Sequence, residues 1–483
     1  MSNAVAIAMG GIGVYALGTG IYLILQNRRP QATLAWMLVF IFVPGIGLVA
    51  YLLFGRPRKA FSKQSSLLKQ DIRVDAMPLL APILSRQDEE IRKLESKGAS
   101  HVRLMMLVRR NAQSVLTRRN QVQIQQGAAV FYASLLADLQ AARHSIHLQY
   151  FIWAADEFTE RIKQVLIERA KAGVAVRLLY DALGSRAHLN RRYVKDLRAA
   201  GVRMEPASPI YRLHTISYRN HRKITVIDGS IGYTGGMNIG KEHLDGGVGF
   251  DSWNDTQLRI VGEGAAVLQG VFMVDWYNAV RESLFAPAYF PPDPVAAAED
   301  DAAVQILTSG PDSRWAAIRQ LYFAMIVTAR KHVYIQSPYF VPDASIAEAL
   351  KSAALAGIDV RIMLTARASG DPIPGWAGNT FMADVVQAGV RVFLYEKGYL
   401  HAKTISADGE ICSIGSTNID IRSFSINYEI NAVLYNQRLA QELEASFVQA
   451  LAYCTEFDAE EYSRRSAVLR FRDSAARLFS PLL

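Results

Sequence analysis

Hydrophobic and polar positions follow three regimes along the chain. Residues 4–25 (AVAIAMGGIGVYALGTGIYLIL) and 33–54 carry no charged side chain, and each run is long enough to cross a hydrocarbon core as a helix. Only QNRRPQA separates them. The pattern predicts a two-helix transmembrane hairpin over residues 1–54. With no basic stretch ahead of its first run, the hairpin reads as an anchor that stays attached. Residues 55–119 are basic at first and mixed in charge around SRQDEEIRKLESK. They predict a helical connector, lying along a membrane surface or presenting a solvated face.

The third regime begins at residue 120, where short apolar runs alternate with amphipathic ones. HSIHLQYFIW (144–153) reads as a buried strand, ERIKQVLIERAKAG as a helix ending at Gly173, and VAVRLLYD as the next strand. The order then returns in KHVYIQSPYF (331–340), in ASIAEALKSAALAG ending at Gly357, and in IDVRIMLT. Gln149 answers Gln336, Ala172-Gly173 answers Ala356-Gly357, and Val176-Arg177 answers Val360-Arg361. The prolines of FAPAYFPPDPVAAAEDDAA interrupt helix and strand alike, so residues 291–303 are read as a linker. It separates a first half, 120–290, from a second, 304–460. Alternating strands and helices predict α/β architecture with mostly parallel sheets, the two halves packing about a pseudo-twofold axis. In residues 461–483, Val468, Phe471, Ala475, Leu478 and Phe479 fall on one helical stripe beside Arg465, Arg470 and Arg477. This predicts an amphipathic helix that packs on the domain or lies on lipid.

Composition narrows the partners. A chain of 483 residues is long for one core, and 51% hydrophobic residues mark it as folded. The net charge of +9 calls for an anionic partner: nucleic acid, phospholipid head groups or a phosphorylated metabolite. Two cysteines, with no Cys/His cluster at ligand spacing, exclude a disulfide scaffold and a structural zinc site. Arg28 and Arg29 are all the basic charge between the runs, against Arg56, Arg58, Lys59, Lys63, Lys69 and Arg73 after them, which places the large domain on the cytoplasmic side.

The chemistry is written twice. NHRKITVIDGSIGYTGGMN from Asn220 and LHAKTISADGEICSIGSTN from Leu400 share His-x-Lys, four residues, Asp, six residues, Gly, two residues, Asn. In a strand, residues i and i+2 share a face, so His221 points with Lys223, and His401 with Lys403. If the halves converge on one cleft, both lysines and the amides of Asn238 and Asn418 grip a phosphate. Gly235, Gly415 and Ser416 complete that supporting set. One imidazole then attacks phosphorus while the other protonates the departing alcohol and later deprotonates an incoming hydroxyl. The scheme calls for no metal and no cofactor. Each imidazole also needs its second nitrogen held by a carboxylate, for which Asp255 and Glu429 are candidates. Asp228 and Asp408 complete each His-Lys-Asp triplet and count among the catalytic candidates; preceding Gly229 and Gly409, they are assigned to turn maintenance more than to chemistry. His144, His147 and His214 read as satisfied core histidines. The symmetry of the two motifs leaves open which histidine attacks.

These residues resemble the phospholipase D superfamily, whose doubled His-x-Lys-x-x-x-x-Asp signature builds one site from two halves. Within it, the N-terminal runs with TLAWMLVFIFVPGIGLVAYLLFG, both motifs, FMVDWYNA and QILTSGPD are similar to those of bacterial cardiolipin synthases. The resemblance spans roughly residues 120–483 and implies two tandem phospholipase D-like α/β halves. It implies His221 as nucleophile and His401 as acid/base, with Asp255 and Glu429 supporting them. It also implies a multi-pass protein of the bacterial inner membrane that converts two phosphatidylglycerols to cardiolipin and glycerol. Its partners would be phospholipid and bilayer, not nucleic acid. A phospholipase using water, or a transferase using another alcohol, shares the same motifs. A nuclease of the superfamily is disfavoured by the hairpin and by the lack of a nucleic-acid module. A catalytically silent lipid-binding scaffold is at odds with two complete motifs, and without a G-x-S-x-G a serine hydrolase lacks its nucleophile elbow.

Overall fold

Ser145–Tyr150 buries six residues in a row and therefore needs cover on both faces. The computed structural model describes residues 15, 17–26, 30–43, 47, 50, 51, 59–96, 101–208, 217–247, 249–291, 302–367 and 369–482. In it, this strand lies inside a seven-stranded sheet. The spatial order is Asn120–Gln126, Thr256–Gly262, Ile231–Gly235, Ile224–Ile227, Ser145–Tyr150, Ala175–Tyr180, Arg203–Pro206. A second, nine-stranded sheet runs Leu116–Thr117, Ala303–Ser309, Glu429–Tyr435, Ile411–Gly415, Thr404–Ala407, His332–Gln336, Asp359–Thr365, Arg391–Tyr395, Cys454–Glu456. Without its two outermost strands, the second sheet repeats the order of the first.

The sheets are mixed, which corrects the expectation of mostly parallel ones. Ser145–Tyr150, Ala175–Tyr180 and Arg203–Pro206 run parallel, as do their counterparts His332–Gln336, Asp359–Thr365 and Arg391–Tyr395. The other neighbours within both sheets are antiparallel. The reason is local: Ile224–Ile227 and Ile231–Gly235 are joined by a short Asp-Gly turn with positive φ at Asp228 (51°) and Gly229 (66°). Such a connection reverses the chain and leaves no room for a parallel crossover.

The predicted helices are present and capped. Glu157–Lys171 starts at Asp156, whose side chain accepts the Thr159 N–H at 2.8 Å, and Ala344–Leu355 starts at Asp343, which accepts that of Ile346 at 3.1 Å. Each is followed within two residues by a left-handed glycine, Gly173 (φ 90°) or Gly357 (φ 88°). Between the sheets, Ile224, Leu258, Phe272 and Trp276 of the first half share one buried core with Ile306, Ile414, Ile430 and Leu439 of the second. The two halves are therefore one packed body, and the cleft between them is fixed by that core.

The chain before the first half is helical over Lys59–Ser96 and Val102–Ala112. From Ile83 it joins the body: Ile83, Gln87 and Ile91 are buried, and Leu116–Thr117 pairs with Ala303–Ser309 of the second half. Of the linker, only residues 291, 302 and 303 are among those described, with Ala303 opening a buried strand. Among the described residues no helix is long and apolar enough to cross a membrane; Pro30–Phe42 has 13 residues, and much of the runs 4–25 and 33–54 lies outside the described residues. Leu17, Leu25, Leu34 and Phe42 are exposed, whereas Leu23, Phe40 and Tyr51 pack together with Tyr15 and Trp36 around them.

Candidate active site

Each motif histidine leaves its own half to find its partners. The stretch before His221 runs parallel to the one before Glu429: Asn220 bridges Tyr428, and the His221 N–H donates to the Tyr428 carbonyl at 2.9 Å. In the same way Tyr399–Leu400 pairs with Trp253–Asn254, and the His401 N–H donates to the Asn254 carbonyl at 2.7 Å. The side chains repeat this exchange. His221 Nδ1 lies 3.1 Å from both Glu429 carboxylate oxygens, and His401 Nδ1 lies 2.6 Å from Asp255 Oδ2. Both acids expected from the sequence are thus in place, each serving the histidine of the other half. With Nδ1 so engaged, Nε2 is the nitrogen each ring has left for phosphorus or a proton.

The lysines stand where strand alternation puts them. Lys223 Nζ donates to the His221 carbonyl at 2.7 Å, Lys403 Nζ donates to that of His401, and both side chains are buried. Burial holds the Lys223 ammonium well below its ordinary range, with Lys403 repelling it and Glu429 opposing the shift. Burial likewise takes Lys403 down to about 8, against the pull of Asp255 and Glu429. Two crowded ammonium groups make a site that gains from an incoming anion. His401 is held well below its usual value by burial, then by Lys403, Lys223 and His221, so the two imidazoles feel one another across the cleft. Burial also lowers His221, with Glu429 opposing it. Burial acts to raise Glu429, but His221, Lys223 and the Ser416 hydroxyl outweigh it and leave the carboxyl below its ordinary range. Asp255 is pushed up by burial, against the pull of Lys403 and His243, and lies 2.6 Å from His401 Nδ1.

The pairs differ in one detail. Ser416 donates its hydroxyl to Glu429 and accepts the Ile430 N–H at 3.0 Å. The corresponding residue of the first motif is Gly236, where a Cβ would collide with the Asp255 carboxylate. Gly415 is likewise required, since a Cβ there would strike the Ile430 carbonyl. Gly235 is positioned in the same way against Thr256 and Gln257. Asn238 accepts the Ile152 N–H at 3.2 Å through Oδ1, and Asn418 leaves Oδ1 buried without a partner.

Asp228 and Asp408 are not in the site, which corrects their place among the catalytic candidates. They lie at the far ends of Ile224–Ile227 and Thr404–Ala407 from the lysines. Asp228 accepts the N–H groups of Arg143, His144 and Ser145, and Asp408 those of Arg330, Lys331 and His332. Each ties a hairpin to the start of the neighbouring strand, as the turn reading anticipates. Of the other histidines, His147 is a core residue, stacked on Phe272 at 4.7 Å. His144 is exposed instead, because it lies in the bend ahead of Ser145–Tyr150 and outside the buried strand. His214 lies outside the described residues.

Several neighbours carry no sequence motif. Arg222 Nη1 is 2.7 Å from both oxygens of Asp275, which also accepts from Gln149 and Asn220, all buried behind His221. The second motif has Leu400 and Ala402 there, packed against Met363 and Phe447. Trp253 and Tyr399 flank His401 at 5.4 and 5.8 Å between ring centroids, and Phe151 flanks His221 at 4.9 Å. His243, five residues after Asn238, is buried beside His401 at 5.9 Å. Its closeness to the motif in GGMNIGKEH is the one signal that sequence reading passed over.

Residues 135–249 and 322–451, covering both motifs, match the family described as "Cardiolipin synthase, PLD-like domain". The chain belongs to this family. Residues 15–56 also match a segment described as "Phospholipase_D-nuclease N-terminal". A cardiolipin synthase of Geobacillus kaustophilus is 40% identical over 475 residues, spanning 95% of this chain and 90% of that protein. One of Halalkalibacterium halodurans is 38% identical over 470 residues, spanning 96% and 91%. The fold is shared with the crystal structure of a phosphatidylserine synthase from Haemophilus influenzae, at TM-score 0.58 and 14% identity, covering 75% of this chain and 95% of that one.

Proposed function

We propose that the protein is a phosphatidyltransferase that makes cardiolipin and glycerol from two molecules of phosphatidylglycerol, by double displacement on His221. The observation carrying this reading is the pair of crossed histidine–carboxylate contacts around two buried lysines. His221 Nε2 attacks phosphorus, the bond from phosphorus to the glycerol oxygen breaks, and His401 gives that oxygen its proton. A phosphatidyl-histidine remains. The primary hydroxyl of the second phosphatidylglycerol then loses its proton to His401 and attacks phosphorus, breaking the P–N bond. Lys223, Lys403, Asn238 and Asn418 hold the non-bridging oxygens through both steps. Glu429 fixes the His221 ring and Asp255 steadies the His401 imidazolium that forms.

Such a substrate rarely leaves a bilayer, and two features of the chain suit that. Residues 1–54 serve as a transmembrane hairpin, with the body on the cytoplasmic side of the bacterial inner membrane; the exposed apolar side chains of the described helices there support it. At the other end, helix Ala467–Arg477 docks on Ile373–Val386 through only one face. Asp473 accepts from Asn379 at 2.9 Å, and Arg472 and Arg477 lie over Trp376 and Phe381. The opposite stripe points outward, with Val468, Phe471 and Leu478 exposed at 76%, 75% and 80%. Arginines 464, 465 and 470 are exposed around it, which fits an anionic lipid surface.

Purified protein given labelled phosphatidylglycerol should release glycerol and form cardiolipin, with label trapped on His221 after a neutral denaturing quench. Phosphatidic acid as the sole product would assign the site to hydrolysis instead.

A further inference from the structure

Asp275, buried on helix Glu263–Val280, collects both residues that flank His221 in sequence. Its Oδ2 accepts from the Asn220 amide at 3.1 Å, and both its oxygens lie 2.7 Å from Arg222 Nη1. Gln149, on the neighbouring strand, donates to the same Oδ2 at 2.6 Å and to Asn220 Oδ1 at 2.9 Å. Arg222 then reaches the other half of the protein. Its Nε donates to the Glu429 carbonyl at 3.2 Å, and its guanidinium lies over the Tyr428 ring at 5.4 Å. The segments that carry His221 and its carboxylate Glu429 are thus tied to one helix through a single acid. The second half is built otherwise. Leu400 and Ala402 stand at the answering positions and pack with Met363 and Phe447, while Gln336, which answers Gln149, accepts the Thr404 hydroxyl at 3.1 Å. The same strands and hairpin form there around apolar side chains, so the fold by itself does not call for a buried ion pair, whose desolvation cost apolar residues avoid.

We propose that Arg222 and Asp275 are positioning residues for the nucleophile, locking His221 and Glu429 in one frame while the P–N bond forms and breaks. The proposal rests on the reading of His221 as the attacking group. The two histidines need different mounts. His221 must bring Nε2 onto the line of attack and keep it there through a covalent intermediate, and a small misplacement of a nucleophile is costly in rate. His401 exchanges a proton with two alcohols in turn, one departing and one arriving. It is bounded by the rings of Trp253 and Tyr399, and its motif carries no ion pair behind it. Arg222 supplies what Ala402 cannot, a planar fork with one end on Asp275 and the other on the backbone of Glu429. Strand alternation puts Lys223 on the opposite face from Arg222, so the grip on the substrate phosphate is separate from the lock. Loss of the lock should therefore fall on kcat and spare KM.

The test uses full-length, detergent-solubilised protein and labelled phosphatidylglycerol, with each rate divided by the folded fraction read from near-ultraviolet circular dichroism. Asp275→Asn keeps the shape and loses the charge, whereas Arg222→Lys keeps the charge and loses the fork. Each is expected to lower kcat by about 10–100-fold while KM for phosphatidylglycerol stays within about twofold. The combined variant should lose little more than either alone, because both changes break the same link. Asn220→Leu, which copies Leu400, removes a different bond to Asp275 and should lower kcat by about threefold to tenfold. It gives an independent reading where a charged variant fails to fold. A kcat per folded molecule that matches the unaltered protein, a loss confined to KM, or losses that multiply in the combined variant would each overturn the proposal. A protein that yields phosphatidic acid alone would refute the proposed transfer, and the same fall in its hydrolytic kcat would leave the positioning role standing.

Discussion

Glu429 holds the ring of His221 from 208 positions further along the chain, across the boundary between the two halves. Asp255 does the same for His401 in the opposite direction. Removing either carboxylate charge should therefore cost turnover without disturbing the other pair. Asp255→Asn is expected to slow cardiolipin formation by about 10²–10⁴-fold, the range seen when a histidine loses the acid that orients it. Because His401 must also activate the second alcohol, this variant should accumulate phosphatidyl-histidine. Glu429→Gln should lower the rate to a similar extent but form little of the intermediate. Trapping by a neutral denaturing quench separates the two outcomes.

The contrast between Gly236 and Ser416 makes a second prediction. Ser416→Ala removes one donor from Glu429 and should slow the first half-reaction by about 10–100-fold. Gly236→Ala should be far more damaging, because the added methyl displaces Asp255 from His401. Pre-steady-state release of labelled glycerol measures the size of both losses.

Asp228 and Asp408 should behave as fold residues. Each sits at positive φ itself, 51° and 59°, and accepts three backbone N–H groups from the start of the neighbouring strand. Replacing either by Ala is expected to cost about 2–4 kcal/mol of stability, combining lost acceptors with a strained backbone. Asn, which tolerates that conformation, should cost less. Chemical denaturation measures the loss, while the rate per folded molecule stays close to that of the unaltered protein.

Activity and stability should respond to pH at opposite ends. Burial takes Lys403 down to about 8, so its charge disappears as pH rises through that value and KM for phosphatidylglycerol should climb. On the acid side, burial holds His147 at about 3, with Gln269 opposing and Arg177 adding to the shift. The unfolded chain binds that proton near 6.5 and the folded chain does not. Stability is therefore intact above pH 6.5 and declines as pH falls from there towards 3. Urea denaturation at several pH values should show this slope, and His147→Phe should flatten part of it.

The doubled motif and the helix ends at Gly173 and Gly357 were legible from spacing and alternation, because those signals are local; Asp255 and Glu429 were candidates because each follows a motif. The crossing of the acids was not. It arises from Asn220 meeting Tyr428 and Leu400 meeting Asn254, contacts between segments that no periodicity links. Strand direction was misread for a related reason. An alternating β/α pattern suggests parallel crossovers, but four of the seven shared strands in each half follow hairpin or edge pairings set by short turns and by the return of Thr256–Gly262 and Glu429–Tyr435. Arg222 and His243 were missed, His243 despite its closeness to the first motif, because the second motif has Ala402 and Ser423 at the answering positions and so repeats neither.

The exchange of acids also constrains descent. A polypeptide bearing one motif alone would contain a histidine with no acid to orient it and an acid with no histidine to serve. Only by associating with a second copy of itself could it assemble the arrangement seen here, so duplication and fusion of a self-pairing ancestor is the economical route to this chain. Once fused, the halves were free to diverge in what surrounds each ring, as Arg222 and Ala402 have done, but not in the reciprocal bond that joins them.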